Sequence, residues 1–83
     1  NRESGDGRYD IQLKPTKKGL PGILIELKAE KNCSDEKLKK LSETALQQIN
    51  DKKYETELTT AGVRTIYKYG VAFSGKKVEV AVG

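Results

Sequence analysis

The sequence predicts an α/β domain with its elements in the order β-β-α-(α)-β-β. Three observations carry that expectation. Two stretches in the first third alternate apolar and polar residues. The middle carries an apolar stripe at helical spacing, and the last third is rich in β-branched and aromatic residues interrupted by one turn.

Residues 1–8, NRESGDGR, are polar with two glycines and are expected to form a loop. Tyr9–Lys14 alternates as a half-buried strand, and Pro15–Pro21 reads as a turn or loop bracketed by prolines. Gly22–Glu30 is the clearest strand: Ile23, Ile25, Leu27 and Ala29 share one face, and Leu24, Glu26, Lys28 and Glu30 the other. Asn32 or Ser34 offers an N-cap, with Asp35 and Glu36 suited to a first helical turn. A helix is expected from Ser34 to Asn50, with Leu38, Leu41, Ala45 and Ile49 as its stripe. Asn50-Asp51 offers a break, and a second short helix is expected over Lys52–Thr60, stopped by Gly62. Val63–Phe73 reads as a strand, Ser74–Lys77 as a tight turn, and Val78–Val82 as a last alternating strand.

Composition narrows the chemistry. The chain has 83 residues, 35% hydrophobic and 34% charged. Leu, Ile, Val and Phe together number 19, above the roughly 20% of a chain below which disorder is expected. A chain this short buries only about 60–65% of its surface, so the expected core is thin. With no His there is no His general base or ligand, and one Cys excludes an internal disulfide and a Cys/His zinc site. What remains is carboxylates, Lys, hydroxyls and a borrowed metal ion. A lone Cys suits a reducing compartment, so a cytoplasmic location is expected. No apolar stretch approaches the roughly 18 residues of a membrane span, no signal peptide is visible, and no membrane partner is expected. The chain begins at Asn1, which suggests a fragment of a longer protein forming a single domain over 1–83. The net charge of +4 permits a polyanionic partner without demanding one.

The first two strands are joined by a short loop and should pair as an antiparallel hairpin. Placing Tyr9, Ile11 and Leu13 on the side of Ile23, Ile25 and Leu27, with the loop centred on Lys18, sets Leu13 opposite Ile23 and Tyr9 opposite Leu27. The same register sets Asp10 opposite Glu26. Opposed like charges destabilise a sheet by up to about 1 kcal/mol. A divalent cation between the two carboxylates reverses the sign, since hard cations take oxygen ligands. Lys28 stands on the face of Glu26, about 6.5–7 Å further along the strand. An ammonium there can hold a phosphate or orient a water. The bland alternative is a solvated polar face.

GRYD, then IELK, then a helix carrying ALQQI with Tyr54 after it, resembles the PD-(D/E)XK nuclease superfamily. The nearer resemblance is to its branch at the C-terminus of AAA-ATPase-like proteins of bacteria, over Asn1–Ile11, Ile23–Lys31, Ala45–Tyr54 and Tyr69–Val78. It implies a mixed, restriction-endonuclease-like sheet with helices packed on it and a site where the first two strands diverge. Asp10 takes the place of the motif aspartate, with Tyr9 where the name-giving pattern has Pro. Glu26 and Lys28 take the places of the E and K, and the Leu27 carbonyl that of the third metal ligand, for Mg²⁺ or Mn²⁺. Gln48 and Tyr54 resemble the Gln and Tyr that position substrate or water; Gln47 is the competing assignment, and a core edge the alternative for Tyr54. The resemblance also implies a helix before NRESG with a further acidic residue, for which Glu3 and Asp6 are the candidate substitutes, with solvated loop carboxylates as the alternative. Lacking that helix, the sheet is expected to expose apolar surface, to dimerise or to take a partner chain.

Lys17, Lys18, Arg64, Lys68, Lys76 and Lys77 are candidates for phosphate contacts or simply solubilising charges. Tyr67 and Tyr69 could stack on bases or pack in the core, and no reactive role is expected for Cys33. The function the residues and the resemblance imply is a Mg²⁺-dependent nuclease cutting phosphodiesters, in DNA. The alternatives are a catalytically silent nuclease fold that binds nucleic acid or docks an ATPase domain, and a purely structural module.

Overall fold

The computed structural model describes the backbone of residues 2–4, 8–51 and 54–83, and the side chains of residues 10–50 and 54–83. Five strands, β1 (Arg2–Ser4), β2 (Arg8–Leu13), β3 (Gly22–Ala29), β4 (Ile66–Ser74) and β5 (Lys77–Val82), form one sheet in sequence order. Two helices, α1 (Asp35–Asp51) and α2 (Tyr54–Thr60), lie between β3 and β4 in the chain. The sheet is mixed: β3 and β4 are parallel, and the other neighbours are antiparallel.

The inferred hairpin register is the observed one. Leu13 pairs with Ile23, Ile11 with Ile25, Asp10 with Glu26 and Tyr9 with Leu27. Residues 2–4, expected as loop, form β1 against β2. Three residues with no apolar alternation leave no trace in the pattern, and the ladder with β2 supplies what propensity lacks.

The ends of α1 and α2 follow local chemistry. The Ser34 hydroxyl accepts from the Lys37 amide at 3.1 Å, so Ser34 is the N-cap of α1. Asn32 instead takes a left-handed turn with φ 58°. At the end of α2, Gly62 has φ 94°, its amide reaches the Thr59 carbonyl, and the Val63 amide reaches that of Leu58. This pair of bonds is a Schellman cap, and Val63 packs back on Leu58. Val63 is therefore spent on the cap, and β4 begins at Ile66 rather than at Val63.

The helices cover one face of the sheet, the face of even-numbered β3 residues. Leu24, Ile49 and Leu58 are its first buried cluster, joined by Leu46, Tyr54, Val63 and Ile66. Cys33, Leu38 and Ala72 are the second, joined by Leu41. Gly70 lets α1 lie this close. A Cβ there would strike the Ser42 carbonyl oxygen and the Leu46 amide of α1, which are backbone atoms without a rotamer to yield. Ala72 beside it is fully buried.

The solvated-face alternative for Glu26 and Lys28 is thus overturned for Glu26, which is 0% exposed beneath the helices. The other face is the open one. Leu13, Tyr67, Phe73, Val78, Val80 and Val82 are exposed there, Val82 by 70%. Tyr67 is on this open face instead of in the core, because its position alternates with Lys68 and Gly70 on the helix side.

Where β3 runs into α1, charges tie the connection. Lys37 bridges to Glu30 at 2.6 Å, and Lys77 donates to the Cys33 carbonyl at 2.9 Å and to Asp35 at 3.0 Å. Cys33 is buried, with its amide on the Ser74 hydroxyl at 2.9 Å. The hydrogen bond from Lys37 holds the Glu30 carboxyl below the ordinary carboxylate range, with a further contribution from the Cys33 thiol.

Gly70→Ala should cost about 3 kcal/mol in denaturant unfolding, because the helix must move as a body. For Glu30 the folded state favours the charged form, so its contribution is present above the unfolded pKa and lost as pH falls through the folded one. Glu30→Gln should therefore be less stable than the parent chain at pH 7, with the gap closing in acid and in high salt.

Candidate active site

The site is built on the β2–β3 hairpin. Asp10 and Glu26 face each other across the two strands on the helix side, where opposed Cβ atoms lie about 4.5–5.5 Å apart. Lys28 follows on the same face of β3, partly exposed, beyond the Glu26 position. Glu26 lies in register with Gly70, so α1 passes directly over it. Asp10 is half-buried on β2.

Helix α2 delivers Tyr54 to this pair. Its hydroxyl donates to the Asp10 carboxylate at 3.1 Å, while its ring packs on the Leu24–Ile49–Leu58 cluster. Tyr54 thus combines the two alternatives considered for it, a core-edge ring and a polar tip at the carboxylates. Gln48 of α1 is half-buried, whereas Gln47 is exposed, so of the two glutamines Gln48 faces inward. Its Oε1 is buried with no hydrogen-bond partner among the described residues.

Gln12 escaped the sequence reading. It stands two residues after Asp10 on the same face of β2, and its Nε2 is buried with no hydrogen-bond partner among the described residues. The signal for it was the strand alternation that placed Asp10.

Other candidates lie elsewhere. Lys17 and Lys18 are in the β2–β3 loop beyond Gly22, roughly 13 Å along the strand from Glu26, and are not brought to the carboxylates. Lys68 is held by Glu55 at 2.5 Å and Asn50 at 3.2 Å. Glu3 pairs in register with Tyr9, out of step with Asp10, and Asp6 lies outside the described residues. The hairpin strands do not diverge at the site: the pairing runs on through Arg8 and Lys28. Leu27 is flanked by Tyr9 and Val71 in this ladder. A carbonyl has two lone pairs, so a laddered one can still accept a second ligand.

The donor set suits a hard divalent cation. Two carboxylates face each other across β2 and β3, Glu26 fully buried and Asp10 half-buried, and both offer oxygen ligands. No imidazole competes, as the chain has no His.

A family model, the PD-(D/E)XK nuclease superfamily, matches residues 1–82. The chain belongs to that superfamily, and its mixed sheet with helices on one face is restriction-endonuclease-like. No curated protein and no solved structure gives a match to the chain.

Tyr54→Phe removes the hydroxyl while keeping the ring. It should lower stability by about 1.5–3 kcal/mol in denaturant melts, the range for a hydrogen bond to a charged acceptor. An unchanged midpoint would mean that the Asp10 contact contributes nothing in solution.

Proposed function

We propose that the domain is a divalent-metal-dependent nuclease that hydrolyses phosphodiester bonds in DNA. The observation that carries this reading is the pairing of Asp10 with Glu26 on the helix side of the sheet, with Lys28 next on the same face. Membership of the nuclease superfamily supports it. Asp10, Glu26 and the Leu27 carbonyl would hold Mg²⁺ or Mn²⁺. When bound, such an ion supplies a polarised phosphoryl oxygen and a more acidic water.

The protein's own groups have separable tasks. Asp10 and Glu26 place negative charge where a cation must sit. The Tyr54 hydroxyl fixes the rotamer of Asp10 through its hydrogen bond. Lys28 stands at the exposed margin, where its ammonium can pair with a phosphate oxygen and stabilise charge that develops there. Gln48 offers an amide whose oxygen is buried and can orient a water.

The complete burial of Glu26 favours a second reading, a nuclease fold that binds nucleic acid or docks an ATPase domain without cutting. The two readings part on turnover. The first expects cleavage of a labelled DNA in Mg²⁺, abolished by a chelator. Asp10→Asn, Glu26→Gln and Lys28→Ala should each lose on the order of 10²–10³ in rate. Binding without cleavage, or equal cleavage by parent chain and variants, would sink the first reading.

A further inference from the structure

We infer that a second, basic groove at the far end of the hairpin binds the phosphate backbone of a nucleic acid and positions it relative to the carboxylates. The groove, of about 670 Å³, lies between the β2–β3 loop and the segment after α2. Lys14, Lys17, Lys18 and Arg64 line it, and Leu20 and Leu58 contribute apolar surface. No acidic residue lines it among the described residues.

Four cations line this one groove. Lys37, Lys68 and Lys77 each have a carboxylate partner. Lys14, Lys17, Lys18 and Arg64 are exposed and have no ion pair among the described residues. Their mutual repulsion in free protein favours an anionic ligand.

The loop is also longer than the turn requires. Residues 14–21 connect two antiparallel strands that two to five residues could join. The excess carries three of the four cations across to the end of α2. The Schellman cap ties the Thr59 and Leu58 carbonyls to the Gly62 and Val63 amides, so those two oxygens are not left to repel an anion.

The ligand chemistry follows from the basic lining, Lys14, Lys17, Lys18 and Arg64, which holds no aromatic ring for base stacking among the described residues. Lys and Arg contacts to phosphate position a strand and carry no sequence information. The groove and Glu26 are separated along β3 by roughly 13 Å, about four nucleotide steps at 3.4 Å per step. A backbone held in the groove would thus bring a phosphate a few nucleotides away to Lys28 and the carboxylates. That last step rests on the proposed nuclease reading; the groove's affinity for nucleic acid does not.

The test is DNA binding in EDTA across a salt series, which needs no turnover. Three chains are compared: the parent, a groove variant (Lys14→Gln, Lys17→Gln, Lys18→Gln, Arg64→Gln), and a charge-matched control (Lys31→Gln, Lys39→Gln, Lys40→Gln, Lys76→Gln). The groove variant should flatten the slope of log affinity against log salt by about 3.6, from roughly 0.9 for each of the four phosphate contacts on duplex DNA. The control should change it by less than about 1. Equal loss in both variants, or none in the groove variant, overturns the inference. A nucleoside triphosphate that displaces the DNA from the parent at equal concentration also overturns it, since the groove would then be a small-anion site. A groove-dependent slope with no Mg²⁺-dependent cleavage by the parent would leave the groove standing and remove only the nuclease reading.

Discussion

The structure depends on one close approach, α1 against the sheet at Gly70. Without a side chain there, helix backbone reaches strand backbone, and whatever lies beside Gly70 in the sheet is sealed from water. What lies beside it is Glu26. Burying a carboxylate is costly unless other groups compensate, and a family of apolar side chains would have filled the same space more cheaply. The two apolar clusters, led by Leu24 and by Ala72, flank the Glu26–Gly70 row instead of closing over it. The sheet thus carries a polar seam through its own core, and Asp10, Gln12, Gln48 and Tyr54 all gather on that side.

The hairpin was legible because parity is a strong constraint. Once Ile11 and Leu13 had to share a face with Ile23 and Ile25, only the loop centre was free, and it fixed Asp10 against Glu26. Which face the helices cover was not legible. Odd-numbered β3 residues are the more apolar set, so composition points to the wrong side. The deciding residues are the small ones of β4, Gly70, Ala72 and Ser74, which make room for α1. Gly70 and Ala72 lie forty-four positions beyond their β3 partners, Glu26 and Lys28, and no local pattern joins them. Strand β1 was invisible because its pairing, not its composition, makes it a strand. The site was half visible: carboxylates and lysine followed from alternation, whereas Gln12 and the Tyr54 contact needed α1 and α2 in place.

The two faces of the sheet therefore have opposite characters. The covered face holds the ionisable groups. The open face carries apolar residues on β2, β4 and β5, from Leu13 through Phe73 to Val82, with the charged residues of those strands alternating to the other side. Charges elsewhere are sorted too, with Lys37, Lys68 and Lys77 each spent on fastening a helix or a turn.

The parallel pairing of β3 with β4 has a kinetic consequence. Each residue of β3 meets a partner forty-four positions away, with both helices in between. The hairpin that opposes Asp10 and Glu26 closes over the loop of residues 14–21 alone. Loop-closure entropy thus lets the acidic pair form early, while still hydrated. The low-dielectric enclosure comes afterwards, when β4 docks and brings Gly70 under the helix. A chain caught between those stages has its chemistry assembled and its protection missing.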